Sequence, residues 1–121
     1  MAFNIDIGTL GENAVCEHLT QEGFDILVRN FAVHNVGELD IVAIKDDDVY
    51  VIEVKTRSLR NTMDYGSPEV SISSSKLRKI RNTVRHLTAR YGLYDKNIII
   101  AAGAVLHDGK GKIVSVEIIE L

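Results

Sequence analysis

The sequence predicts a single α/β domain spanning residues 1–121. Three observations carry that expectation. Segments 9–22 and 74–91 place apolar residues at helical spacing, and a glycine follows each. Five other runs are alternating or continuously apolar, as strands are. No linker, internal repeat or low-complexity stretch divides them. A chain of 121 residues buries roughly two-thirds of its unfolded surface, so one core suffices without a disulfide or a structural metal. Cys16 is the only cysteine, and its place in a helical pattern suits a small buried apolar side chain.

In the first helix Thr9 is the expected N-cap and Glu12 its capping-box partner. Leu10, Ala14, Val15 and Leu19 form the stripe, and Gly23 ends it. Residues 24–30 alternate Phe24, Ile26 and Val28 against Asp25 and Arg29, although Leu27 blurs the pattern. A loop through Val36 and Gly37 leads to two β-rich runs, 38–45 and 49–57, joined at Asp46-Asp47-Asp48 as a hairpin. Residues 57–66 read as a polar loop and Ser67-Pro68 as the start of a short helical turn. The second helix begins near Ser74, buries Leu77, Ile80, Val84, Leu87 and Tyr91, and stops at Gly92. Residues 97–106 and 113–120 are strands around an Asp108-Gly109-Lys110-Gly111 turn.

The N-terminus lacks a basic region followed by an apolar run. No stretch reaches the ~18 apolar residues of a membrane span. A cytoplasmic protein with no membrane partner is therefore expected. The net charge of −3 hides an asymmetry: between Lys55 and Arg90 there are nine Lys or Arg residues against only Asp64 and Glu69.

The hairpin carries the chemistry. Alternation puts Glu38, Asp40, Val42 and Ile44 on one face of its first strand, and Val49, Val51, Glu53, Lys55 and Arg57 on one face of its second. A two-residue turn would set Asp40 opposite Glu53 and Glu38 opposite Lys55; an unbulged three-residue turn would separate them. Carboxylates facing at ~5 Å repel unless a cation or a proton intervenes. Mg²⁺ or Mn²⁺ is the expected cation, since one or two carboxylates at a sheet rim suit an ion that keeps several waters. Lys55 would then orient an attacking water or offset phosphate charge. The plainer reading is a solvated strand end with Lys55 paired to Glu38, worth at most ~1 kcal/mol.

Gly11-Glu12 with Ala14, Leu19 and Gly23, Ile26-Leu27 with Arg29-Asn30, Gly37-Glu38-Leu39-Asp40, Glu53-Val54-Lys55-Thr56-Arg57, and Gly66 with Pro68 and Lys76 together resemble the YraN-like bacterial proteins. That family is assigned to the PD-(D/E)xK nuclease superfamily. The resemblance spans residues 11–87. It implies a restriction-endonuclease-like fold, a central mixed sheet flanked by helices. It also implies catalytic positions at Asp40, Glu53 and Lys55, with the Val54 carbonyl a further metal ligand. Leu39 stands where the superfamily's name-giving proline would be. A more distant similarity to archaeal Holliday-junction resolvases, where a first-helix glutamate joins the metal cluster, gives Glu12 that role beside its capping-box reading. After the second helix the family's usual Arg-Phe-Asp segment is replaced by Asn97-Ile98-Ile99-Ile100 and Ala101-Ala102-Gly103.

On the second helix Arg78, Arg81 and Arg85 lie within about 60° of one another, and Lys76, Lys79 and Arg90 occupy the other flank of the apolar stripe. With Arg57, Lys76 and these three arginines are the expected phosphate contacts. His18, His34, His86 and His107 lack metal-ligand spacing, and Tyr65 is a loop residue able to stack on a base. The expected activity is metal-dependent DNA endonuclease cleavage, with branched DNA cut by a homodimer as a related use. The alternatives are a nuclease-like domain that binds nucleic acid without cutting it, and a module that contacts protein partners in DNA repair, recombination or uptake.

Overall fold

The structure is a computed structural model that describes residues 6–59 and 71–121. Among these, α1 (Ile7–Gln21) precedes β1 (Asp25–Val33), β2 (Gly37–Lys45) and β3 (Asp48–Ser58), and α2 (Ser74–Tyr91) precedes β4 (Asn97–His107) and β5 (Ile113–Glu120). The strands form one mixed sheet in sequence order. Only the β3–β4 pair is parallel, and α2 makes the crossover that a parallel pair requires. This α/β arrangement is restriction-endonuclease-like. The polar loop expected over 57–66 and the Ser67-Pro68 turn, with Tyr65 and Gly66, fall largely outside the described residues. Among the described residues no helix is long and apolar enough to cross a membrane.

Alternation along the strands gives the sheet two apolar faces, and each helix covers one. Val15 and Leu19 of α1 pack on Ile41, Ala43, Ile52, Ala101 and Val105, with half-buried Cys16 joining them. Ile80 and Leu87 of α2 pack on Leu39, Val42, Val49 and Val51. Thr83 shares that buried stripe, its hydroxyl donating to the Lys79 carbonyl at 2.7 Å. Tyr91, expected in the core, is 37 % exposed and meets Phe31 edge-on at the rim. Gly92 ends α2 in the left-handed conformation, as the sequence predicts.

Two local departures bear on the site. Asp6, not Thr9, caps α1, accepting from the Gly8 N–H at 3.0 Å. Thr9 is therefore inside the helix and Glu12 lies beyond the capping-box position, so the cap makes no claim on the Glu12 carboxylate. In β1 the pairing with β2 shifts register between Ile26 and Val28. The extra residue turns Leu27 to the α2 side together with Val28, which is why Leu27 blurred the alternation. The strand then runs three residues beyond the expected Asn30.

Close approach of α1 to the sheet depends on Gly11, which is buried against β3: a Cβ there would overlap the Thr56 hydroxyl. Alanine normally gains up to about 1 kcal/mol over glycine inside a helix. Gly11→Ala is expected to do the reverse and cost about 1–3 kcal/mol by overpacking, measured by urea unfolding. Thr56→Ala should recover part of that loss; additive effects of the two substitutions would contradict the steric account.

Candidate active site

The β2–β3 turn leaves two loop residues, because Lys45 pairs with Asp48. Asp46 takes φ 56°, a conformation that aspartate tolerates better than most side chains. Of the two registers open to the sequence, this is the one that keeps Asp40 and Glu53 at matching heights. The ladder nevertheless stops at Ile41 and Ile52. Beyond it Asp40 Oδ2 accepts the Val54 N–H at 2.8 Å, a side chain doing what the next backbone carbonyl would otherwise do. A buried N–H without a partner costs about 1–3 kcal/mol, so the substitution has a clear driving force.

The strand turns over at this point. Leu39 and Val42 belong to the α2 side of the sheet, whereas Ile41 and Ala43 belong to the α1 side. Simple alternation, which would have made Asp40 and Glu53 a facing pair and set Glu38 against Lys55, is corrected here. Asp40 lies at the parting of two strands, held in the sheet by its bond to Val54, and its charge acts on carboxylates from both sides.

On the α1 side, Asp40 lines an open cavity of about 270 Å³ with Asp6, Gly8, Thr9, Glu12, Val54 and Thr56. The Glu12 side chain is 18 % exposed, and Arg29 Nη2 stands 3.7 Å from its Oε2. Burial and then the Asp40 charge raise the Glu12 pKa above its ordinary value, while Arg29 opposes them. On the α2 side, the Glu53 side chain is 12 % exposed, with Lys76 Nζ 3.6 Å from its Oε1. Burial and then Asp40 raise its pKa as well, against Lys76 and Lys55. Both glutamates thus remain under-compensated beside Asp40, although each has a basic neighbour.

Lys55 is half-buried two residues beyond Glu53, and Arg57 is exposed further along β3. Arg78, Arg81 and Arg85 are exposed on α2, Arg85 in a separate cleft beside the β1–β2 turn. Glu38 is exposed and its charge reaches Glu12. Ala102 and Gly103, from the segment that departs from the resemblance, pair beside Glu53 and Val54. The sequence reading gave no role to Arg29 or Thr56, yet Arg29 contacts Glu12 and Thr56 lines the cavity. No local signal marks Arg29: alternation sets it with Asp25 on the polar side of its strand, and only the register shift between Ile26 and Val28 brings it to Glu12.

Among the described residues no three acidic, histidine or cysteine side chains converge on one point. Glu12, Asp40 and Val54 share the cavity and offer two carboxylates and a carbonyl. This small hard-oxygen set fits a Mg²⁺-like ion that retains several waters. Glu53 is turned toward Lys76 and stands outside that cavity.

The model of the uncharacterised protein family UPF0102 matches residues 11–116. The chain belongs to this family. It is the YraN-like family that the motifs resembled, and the match extends past residue 87 to take in β4 and part of β5. A UPF0102 protein of Syntrophomonas wolfei is 33 % identical over 112 residues, covering 92 % of this chain and 94 % of the relative. A second, from Dictyoglomus turgidum, is 36 % identical over 114 residues, covering 94 % and 93 %. A third, from Flavobacterium johnsoniae, is 39 % identical over 84 residues, covering 69 % and 65 %.

The raised Glu53 pKa has a signed consequence. Between its ordinary value of 4.5 and its folded value, the native state binds more protons than the unfolded state, so this group's contribution to stability falls as pH rises. Glu53→Gln, neutral throughout, is expected to melt above the wild type at pH 7 in EDTA. That advantage should shrink as pH falls through the folded value and vanish below the unfolded one. A variant less stable than wild type at pH 7 would contradict the electrostatic picture.

Proposed function

We propose that the protein is a metal-dependent DNA endonuclease that hydrolyses phosphodiester bonds. The observation that carries this reading is the position of Asp40, bonded to Val54 N–H and flanked by Glu12 on one side of the sheet and Glu53 on the other. A fold that needed only stability would not crowd two poorly exposed glutamates around a third carboxylate.

In this reading Asp40 and Glu12, with the Val54 carbonyl and with Glu53 turned from Lys76, hold Mg²⁺ or Mn²⁺. The ion supplies Lewis acidity at phosphate and lowers the pKa of bound water. Lys55 orients the attacking water or offsets charge on the phosphate. Arg57, Lys76, Arg78, Arg81 and Arg85 hold the strand through phosphate contacts that carry no sequence information. Val54, whose N–H is bonded to Asp40, fixes that carboxylate's rotamer and so favours a preorganised site. Action on branched DNA by a homodimer and work in the cytoplasm belong to the same proposal.

One observation favours a second reading, nucleic-acid binding without cleavage. Lys76 at 3.6 Å from Glu53 and Arg29 at 3.7 Å from Glu12 place protein cations where an ion would otherwise act. Calorimetry with Mn²⁺ separates the two. Wild type should bind, while Asp40→Asn, which keeps an acceptor for Val54, and Glu53→Gln should lose about tenfold or more in affinity. On duplex, single-stranded, flapped and four-way DNA with Mg²⁺ or Mn²⁺, Lys55→Ala should cut about a hundredfold more slowly. A wild type that binds no Mn²⁺ removes the nuclease mechanism, and cleavage unaffected by Lys55→Ala removes the role of that lysine.

A further inference from the structure

A second cleft, of about 410 Å³, opens where the β1–β2 turn lies against α2. Asn35 and Val36 form one wall, and Lys79, Asn82, Arg85 and His86 form the other. The turn comes this close because Gly37 lacks a side chain: a Cβ there would lie 2.5 Å from Thr83 Oγ1 and 3.4 Å from the Lys79 carbonyl. Asn35 adopts φ 61° in that turn. The cleft draws Lys79 from one flank of the helix and Arg85 from the other.

Its lining is rich in donors and holds no carboxylate. Two basic side chains, two carboxamides and an imidazole line one space, and among the described residues no acid forms an ion pair with Lys79 or Arg85. Such a set matches an anion with several acceptor oxygens. The cleft is open to solvent, which suits a chain passing through it.

The same helix carries Lys76, the residue against Glu53. From Lys76 to Asn82 and His86 the axial rise is roughly 9 to 15 Å at ~1.5 Å per residue. One DNA strand advances ~3.4 Å per phosphate along its axis, so this interval spans roughly three or four phosphates. The geometry points to a DNA-backbone clamp formed by Asn35, Lys79, Asn82, Arg85 and His86, which holds the strand a few nucleotides from the phosphate at Glu53 and Lys55. The clamp deepens the nucleic-acid part of the proposed function and rests on it.

The test is equilibrium binding of a fluorescent duplex by wild-type protein and variants in EDTA, where no metal-dependent cutting intervenes. Asn82→Asp places a negative charge on an exposed position of the cleft and is expected to weaken binding about tenfold or more. Lys79→Ala should reduce the slope of log affinity against log salt by about 1. Gln21→Glu makes the same charge change on α1, across the sheet, and should leave affinity within about twofold of wild type. Millimolar inorganic phosphate should not displace the duplex from wild type.

Equal weakening by Asn82→Asp and Gln21→Glu, an unchanged salt slope in Lys79→Ala, or displacement by millimolar phosphate would each overturn the clamp. So would a wild type without DNA affinity. Cleavage enters none of these readouts. A protein that cuts nothing yet loses affinity through Asn82→Asp retains the clamp while the endonuclease reading falls.

Discussion

Where β2 and β3 part, the Val54 N–H loses its place in the ladder and takes the Asp40 carboxylate instead. Much of the site follows from that bond. It draws an acid into the sheet at the point where the strand turns over, and it fixes that acid between a helix glutamate and a strand glutamate. Each of those glutamates is poorly exposed, and each holds its proton more tightly because of burial and of Asp40. The bond therefore satisfies the backbone while creating an electrostatic demand that the nearby Arg29 and Lys76 meet only at 3.7 and 3.6 Å.

Two glycines bring the rest of the molecule to this point, and both act by what they lack. Gly11 lets α1 rest on Thr56 and so places Glu12, the next residue, over the cavity. Gly37 lets the β1–β2 turn meet α2 at Thr83, which joins the acidic parting of the strands to a basic helix. The charge asymmetry along the chain thus becomes a spatial one. Acids gather where the strands open, and lysine and arginine lie along the adjoining helix.

Much of the fold was legible because its signals are local. The stripe of Ile80, Val84 and Leu87 with Gly92 behind it defines α2, and the apolar run at 97–106 reads as a buried strand without any tertiary information. Family membership was legible for the same reason, since its motifs are short and contiguous. The misreadings came from nonlocal geometry. Leu27 reverses face only because β1 is bulged against β2, and Asp40 leaves the alternation only because the ladder ends beside it. Thr9 was a credible cap until Asp6, three residues earlier, is seen to take that place. The Arg29–Glu12 and Lys76–Glu53 contacts join elements distant in sequence, and no spacing rule reveals them.

The proposed function rests on a cation site formed by Asp40 and its neighbouring glutamates. Anomalous diffraction from crystals grown with MnCl₂ tests it most directly. An anomalous peak is expected, bonded to Asp40 and to Glu12, Glu53 or both, with Lys76 withdrawn wherever Glu53 joins the ion. Crystals saturated with Mn²⁺ that show no peak at Asp40, with Lys76 still against Glu53 and Arg29 still against Glu12, would contradict it.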